Sequence, residues 1–328
     1  MTSKEKVTIL DGGFSSQLSK HMDTNFDKDP LWTARLLKTS PEVIIATHLD
    51  YLRAGSEIIE TNTYQASIKG FTDHLQLTEE ESFDLIKKAV HLAKEAINLF
   101  YNERKLITDD SNEYKPLVAG SCGPYGAFLH DRSEYTGSYH KNVSKDLLKN
   151  WHKSRVDALV DGGVDILAFE TIPCELEAQA IVELLKDYPN TKAWISFSCS
   201  SDGKSIVDGS NFKTVACYCY ESSIPGQIIA VGINCIAPSI VSSFFKDING
   251  TDKSFVPLIV YPNSGETWTL ETQWQKTGNE PSINDFVDEW LDLGVRFIGS
   301  CCRTYAEDIT SIKKKVQAWQ QVHTETSS

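Results

Sequence analysis

Short apolar runs alternate with longer amphipathic segments along the whole chain. Short, mainly apolar runs of three to five residues predict strands that are buried on both faces, as in parallel sheets. Eight such runs recur in order, at 7–10, 57–60, 117–119, 165–169, 193–197, 228–231, 256–260 and 295–298.

Each strand is followed by a segment with helical spacing or a helix start signal. Pro41 fits the first position of a helix, and Thr78 with Glu81 has the spacing of a capping box. The predicted helices span 41–55, 78–100, 145–160, 175–187, 212–220, 238–245, 283–293 and 306–319. Eight strand–helix units predict an α/β protein with a single (β/α)8 TIM barrel over residues 1–328, and residues 321–328 are expected to be a frayed tail.

Composition and charge narrow the class of partner. The 328 residues carry a formal net charge of −13, which argues against nucleic acid or an anionic membrane as the main partner. We find no apolar run near the roughly 20 residues that cross a bilayer. Residues 1–6 are polar, without a signal-peptide core, and eight cysteines in such a chain favour a reducing compartment. The expected location is the cytoplasm.

Polar residues that could bind a metal ion or a substrate follow several of the predicted strands. Asp11, Thr63, Glu170, Cys235 and the pair Cys301-Cys302 all come just after apolar runs. In a barrel these positions converge on the carboxyl-terminal mouth, where active sites lie. Adjacent cysteines are poorly placed for a disulfide with each other, whereas three thiolates suit a zinc ion with one exchangeable position.

Five motifs then carry a family resemblance. They are Leu-Asp-Gly-Gly at 10–13, Phe-Glu-Thr at 169–171, Gly-Ile-Asn-Cys at 232–235, Tyr-Pro-Asn-Ser-Gly-Glu at 261–266 and Gly-Ser-Cys-Cys-Arg-Thr at 299–304. In this order they resemble the zinc-dependent homocysteine S-methyltransferases, a family of (β/α)8 barrels. Ser300 departs from that pattern, which usually has glycine there, and we expect the turn to tolerate so small a side chain.

The resemblance implies a set of roles. It makes Cys235, Cys301 and Cys302 the ligands of one zinc ion, with the homocysteine sulfur in the fourth position. Asp11 and Glu170 match the acidic residues that hold the ammonium group of the amino acid. Thr63 matches a hydroxyl near its head group.

The methyl donor is less directly indicated. Gly-Pro-Tyr-Gly at 123–126 and the motifs after the last two strands resemble the branch that uses S-methylmethionine and S-adenosylmethionine, some of whose members also accept selenocysteine. Carboxylates and aromatic faces recognise such cations. Glu266, Tyr125 and Trp32 are therefore candidates for the donor site, with Glu266 on the donor's ammonium group.

Other interpretations stay open at this point. Any single cysteine is more often a small buried hydrophobe, and this is our reading of the remaining five, Cys122, Cys174, Cys199, Cys217 and Cys219. A betaine- or folate-dependent methyltransferase, an idle zinc-binding barrel and a metal-free phosphate-binding barrel with Arg303 at its site are the rivals. The expected partners are small molecules only, for a monomer or small homo-oligomer.

Overall fold

Eight parallel strands form a nearly closed barrel in the computed structural model, which describes residues 6–24, 26, 28–105, 115–249, 255–269, 273–276, 278 and 280–325. This confirms the predicted fold class. The barrel strands are Thr8–Ile9 (β1), Ile58–Glu60 (β2), Leu117–Cys122 (β3), Ile166–Ile172 (β4), Lys192–Phe197 (β5), Ile228–Asn234 (β6), Leu258–Tyr261 (β7) and Val295–Ile298 (β10). A hairpin of Thr267–Thr269 (β8) and Gln273–Gln275 (β9) stands apart from them.

The helices pack around the outside of the barrel. Their bounds are Phe14–Leu18 (α1), Leu36–Thr39 (α2), Pro41–Ala54 (α3), Ile68–Leu75 (α4), Glu79–Lys105 (α5), Tyr125–Leu129 (α6), Lys145–Asp161 (α7), Glu175–Leu185 (α8), Phe212–Ser222 (α9), Val241–Phe245 (α10), Val287–Asp292 (α11) and Ala306–Glu325 (α12). Short 3-10 turns cover Trp32–Arg35, Ser133–Tyr135, Ser138–Lys141, Pro238–Ile240 and Ile283–Asp285. None of the helices within these described ranges is both long and apolar enough to cross a membrane.

The last helix corrects one sequence-based boundary. α12 continues through residues 321–325, which we predicted to be a frayed tail. The His323 ring stacks on Trp319, with ring centroids 4.1 Å apart, and its Nδ1 lies 2.8 Å from the Trp319 carbonyl oxygen. These contacts hold the extra turn, and residues 326–328 lie outside the described part of the chain.

The barrel closes between β1 and β2 with the help of two acidic side chains. β1 has only two residues, and a single backbone bond, from Glu57 N to Ile9 O at 2.7 Å, links it directly to the chain before β2. The Glu57 carboxylate accepts from Ile9 N at 3.1 Å, and the Asp11 carboxylate accepts from Glu60 N at 2.8 Å. Asp11 therefore has a structural role at the seam, on the side where the strands end.

Two apolar layers support the mouth of the barrel. One fills the barrel interior and includes Leu10, Trp194 and Ile259, all fully buried. The other lies between strands and helices, where Phe169 and Phe197 are examples. Since burial of one such side chain contributes on the order of 2 kcal/mol, the strand ends are held by a rigid frame.

Candidate active site

A cavity of about 840 Å³ opens at the carboxyl ends of the barrel strands. Among its described lining residues, six carboxylate side chains face only two lysine or arginine side chains, Lys28 and Arg132. The thiols of Cys235, Cys301 and Cys302 lie in the same cavity. Asp29 and Glu266 are ion-paired with Arg35 and Arg303, so Asp11, Glu60, Glu134 and Glu170 are the acids that remain to face a cationic ligand.

The three thiols form one cluster. The Sγ atoms of Cys235, Cys301 and Cys302 all lie within 4.8 Å of one another. Cys235 Sγ is 3.5 Å from Cys302 Sγ, and Cys301 Sγ is 3.9 Å from Cys302 Sγ. Two ligands at the usual zinc–sulfur distance and a tetrahedral angle are about 3.8 Å apart. The cluster thus has the size of a tetrahedral zinc site. All eight cysteines of the chain are free of disulfides, so these three thiols are available as ligands.

Backbone conformation aims these thiols inward. Cys235, directly after β6, has φ of 51°, and Arg303, directly after the cysteine pair, has φ of 64°. Non-glycine residues rarely adopt positive φ, and such strain concentrates at functional sites. Cys301 N donates to Pro262 O at 2.7 Å, so the loop after β10 is fastened to the loop after β7. Gly13 is required beside it, because a Cβ there would lie 2.3 Å from Cys301 O.

The three thiols differ in how readily they lose a proton. Hydrogen bonds from Cys301 and Cys302 hold the pKa of Cys235 well below its usual range. In return, the interaction with the Cys235 thiolate raises the pKa values of Cys301 and Cys302 well above theirs. Without a cation the cluster favours one thiolate, and a bound metal ion would stabilise all three.

Three carboxyl groups, Asp11, Glu60 and Glu170, lie on the cavity wall. Asp11 and Glu170 are only 5% and 8% exposed. Burial raises the pKa of Asp11 to about 8 and that of Glu170 to about 7. Burial and the charges of Glu170 and Asp11 raise the pKa of Glu60 well above its usual range. Within the described residues none of the three is ion-paired with lysine or arginine. The ammonium group of a ligand would supply the missing positive charge and stabilise their ionised forms.

A polar network fixes the backbone next to Glu170. Thr171 has φ of 59°, and the Asn234 side chain holds it by accepting from Thr171 N at 2.7 Å and donating to Thr171 Oγ1 at 2.8 Å. Ser196 Oγ donates to Asn234 Oδ1 at 2.8 Å. Ser121 Oγ donates to the Glu170 carboxylate. Strand ends β3 to β6 therefore orient one acid.

Ser300 fits the turn between β10 and the cysteine pair. Ser300 N donates to Asp11 O at 3.1 Å, and the Ser300 hydroxyl accepts from Thr304 Oγ1 at 2.9 Å. Gly12 provides the room, because a Cβ there would lie 2.8 Å from Ser300 Oγ. The serine is accommodated by a glycine in the segment that follows β1.

Comparison with known proteins bears on this arrangement. Residues 8–316 match the model of a family described as homocysteine S-methyltransferase. The chain belongs to this family. The resemblance carried by the five motifs is thereby confirmed over almost the entire barrel.

Relatives within the homocysteine S-methyltransferase family differ in their named substrates. The chain is 43% identical to a betaine-homocysteine S-methyltransferase of Drosophila melanogaster, with 94% of each sequence covered. It is 40% identical to a selenocysteine Se-methyltransferase of Brassica oleracea var. italica, covering 98% of this chain and 92% of that one. The metallated crystal structure of the Escherichia coli homocysteine methyltransferase MmuM is 37% identical and superposes with a TM-score of 0.81, covering 95% and 97% of the two chains.

Most of the predicted site residues meet in the one cavity. Asp11, Glu170 and the three cysteines line it, as do Trp32 and Glu266. Trp32 has φ of 46° and packs edge-on against Tyr64, with ring centroids 6.0 Å apart.

Two predicted residues, Thr63 and Tyr125, are not in that lining. Thr63 is fully buried, and its hydroxyl donates to Ser121 O at 2.7 Å because the chain turns behind the mouth once β2 has ended. The Tyr125 ring packs at the start of α6 against Tyr139 and Trp151, at centroid distances of 5.6 and 5.4 Å. Both side chains support the mouth from outside the cavity.

Glu266 lies in the cavity but already has a partner. Its carboxylate accepts from Arg303 Nε at 2.8 Å. A donor's ammonium group would have to share this acid with the guanidinium. The role of Glu266 at the donor stays a prediction.

The cavity side chains that sequence reasoning missed include Glu60, Tyr64 and Tyr135. Glu60 ends a strand, like Glu170, and that position was the available signal. Tyr64 and Tyr135 lie in loops, and no periodic pattern marks their direction.

Proposed function

We propose that this chain transfers a methyl group from a sulfonium donor, S-methylmethionine or S-adenosylmethionine, to the thiol of homocysteine in a zinc-dependent reaction that forms methionine. The observation that carries the proposal is the three-thiol cluster, whose separations suit tetrahedral zinc. Beside it lie Asp11, Glu60 and Glu170, none of which is ion-paired with a lysine or arginine among the described residues. Family membership supplies the reaction class. The zinc dependence and the identity of the methyl donor are the parts of the proposal that go beyond family membership.

Cys235, Cys301 and Cys302 would hold the zinc ion and leave one position for the substrate sulfur. Bound there, zinc would lower the pKa of the homocysteine thiol and so maintain the nucleophile at neutral pH. Asp11 and Glu170 would hold the ammonium group of the amino acid. Each is pre-oriented by its own hydrogen bonds, from Glu60 N and from the Ser121 hydroxyl.

The cavity suits a second, cationic substrate. Its volume of about 840 Å³ exceeds that of homocysteine, and its carboxylates outnumber its lysine and arginine side chains. A bond forms from the acceptor sulfur to the methyl carbon as the donor's sulfur–methyl bond breaks, and the donor leaves as a neutral thioether. Because the three atoms must be collinear, positioning by the rigid barrel mouth supplies much of the rate.

A betaine donor is the second candidate. It is favoured by the 43% identity to a fly protein named betaine-homocysteine S-methyltransferase. Betaine is also a methylated cation, but it has a quaternary nitrogen in place of sulfonium. Selenocysteine is an alternative acceptor, given the named activity of the broccoli relative.

The test is methionine formation by the purified, zinc-loaded chain with S-methylmethionine, S-adenosylmethionine or betaine. We expect a sulfonium donor to give at least tenfold higher kcat/KM than betaine, and the reverse order would overturn the donor assignment. Cys235→Ser should abolish turnover and metal retention. Cys217→Ser, on α9 outside the cavity, is the matched control and should preserve both.

A further inference from the structure

One side chain from outside the recognised motifs reaches the thiol cluster. The hydroxyl of Tyr135 lies 3.6 Å from Cys235 Sγ, within the range of a hydrogen bond to sulfur. The side chain is 45% exposed, but its hydroxyl faces the cavity where the three thiols meet. No other hydroxyl among the described residues makes such a contact with a cluster sulfur.

The segment that carries Tyr135 is held in place. Ser133–Tyr135 forms a 3-10 turn in which Ser133 N donates to the Asp131 carboxylate at 2.9 Å, and Gly137 N donates to Ser133 O at 2.7 Å. Gly126 lies directly beneath, since a Cβ there would be 2.6 Å from Glu134 N. The phenol is therefore directed at Cys235 by the fold.

The base of this segment is anchored as well. The Tyr139 hydroxyl donates to the buried carboxylate of Glu177, and the His152 ring lies 2.7 Å from the same carboxylate. A support of this kind limits the freedom of the loop between β3 and α7. It explains how a half-exposed tyrosine can keep a defined contact.

We propose that Tyr135 is a positioning residue whose phenol donates a hydrogen bond to the Cys235 thiolate and tunes the metal that this thiolate holds. The proposal rests on the proposed function, in which Cys235 is a zinc ligand. A phenol with an ordinary pKa of about 10 keeps its proton at neutral pH and can donate. The hydrogen bond withdraws electron density from Cys235, so a metal ion held by the three thiolates would draw more strongly on its other sulfur ligands.

This role makes the three protein ligands unequal. Cys235 would donate less charge to a bound metal ion than Cys301 and Cys302, whose sulfurs lack a hydroxyl partner among the described residues. Loss of the hydroxyl should make Cys235 a stronger electron donor. It should also weaken metal retention, because outer hydrogen bonds orient the ligand and help hold it in its charged form.

The experiment compares the wild-type chain with Tyr135→Phe, and with Tyr218→Phe as a matched control on the exposed face of α9. Each protein is loaded with cobalt(II) alone, and the thiolate-to-cobalt charge-transfer band is recorded. Zinc affinity is measured by competition with a chelator. For Tyr135→Phe we expect the band to move to lower energy and zinc affinity to fall about tenfold. Tyr218→Phe should match the wild type.

A wild-type band and unchanged zinc affinity in Tyr135→Phe would overturn the inference. Tyr135→Leu, which also lacks the hydroxyl, repeats the test through a different side chain, and thermal unfolding verifies the fold of both. If the wild-type chain itself takes up neither metal at one per chain, the proposed function fails. If it takes up metal normally and the variants behave identically, only the role of Tyr135 fails.

Discussion

Two buried glutamates on the same connection of the barrel have opposite surroundings. Glu170, near the end of β4, is 8% exposed, and Glu177, in the first turns of α8, is fully buried. Glu177 accepts from Tyr125 N at 2.7 Å and from the Tyr139 hydroxyl, and it lies 2.7 Å from the His152 ring. Glu170 has the Ser121 hydroxyl and a neighbouring acid, and no arginine or lysine pairs with it in the described structure.

The difference separates a structural acid from a binding acid. A buried carboxylate is costly unless hydrogen bonds or a cation offset the loss of water. Around Glu177 the protein supplies those partners itself, and the result is a fixed loop. Around Glu170 the described residues supply fewer partners, and the carboxyl group lies on the cavity wall, where a ligand can supply the missing cation. The same substitution at the two positions should therefore have different consequences.

The largest effect is expected for Glu170→Gln. The amide cannot match the charge of the substrate's ammonium group, and a hydrogen bond between charged groups is worth about 1.5–3 kcal/mol. We expect kcat/KM for homocysteine to fall about 100-fold with unfolding free energy unchanged or increased. Steady-state kinetics and urea unfolding measure the two quantities. A stability loss with normal kinetics would exchange the roles assigned to the two glutamates.

Glu177→Gln is the matched counterpart. It leaves the packing in place but weakens the hydrogen bonds from Tyr125 N, Tyr139 and His152. We expect a loss of about 2 kcal/mol in unfolding free energy, and a change in the KM for homocysteine of less than threefold. A variant as stable as the wild type would show that this network does not hold the loop.

The pH dependence of stability sharpens the comparison further. The folded-state pKa of Glu170 is raised by burial to about 7, above its value in the unfolded chain. Its contribution to the free energy of unfolding is fully present below the pKa of the unfolded chain, near 4, and is lost as the pH rises through the folded-state pKa of about 7. In metal-free protein we expect Glu170→Gln to flatten this decline by roughly 2–3 kcal/mol in urea titrations between pH 5 and 8. Parallel curves for the two proteins would contradict the assignment.

Thr63→Val gives the smallest expected effect. The substitution removes the hydrogen bond to Ser121 O and the contact with Thr61 Oγ1, each at 2.7 Å, at a cost of about 1 kcal/mol. Because Thr63 does not line the cavity, the KM for homocysteine should change less than twofold. A tenfold rise in KM at normal stability would instead support the head-group role that the resemblance implies.

Much of the framework was accessible from sequence because it depends on local patterns. The eight strands were recognisable from short apolar runs, and the positions of Asp11, Glu170 and the cysteines follow from where those runs end. Parallel strands bring their carboxyl ends together whatever the loops do. The meeting of Cys235 with Cys301 and Cys302 is thus a consequence of topology.

The remaining parts depend on contacts that strand periodicity does not encode. Thr63 turns away from the cavity because β2 ends at Glu60, and the alternation of faces ends with it. Glu266 meets Arg303 because that arginine has positive φ after the cysteine pair. Tyr135 reaches Cys235 through a long connection whose path is set by Gly126 and the buried carboxylate of Glu177.

X-ray absorption at the zinc edge of the purified chain, before and after addition of homocysteine, tests the central claim most directly. The account predicts one zinc per chain with three sulfur ligands at about 2.3 Å, rising to four when the substrate is added. A chain without zinc, or a sulfur count that homocysteine does not change, would contradict it.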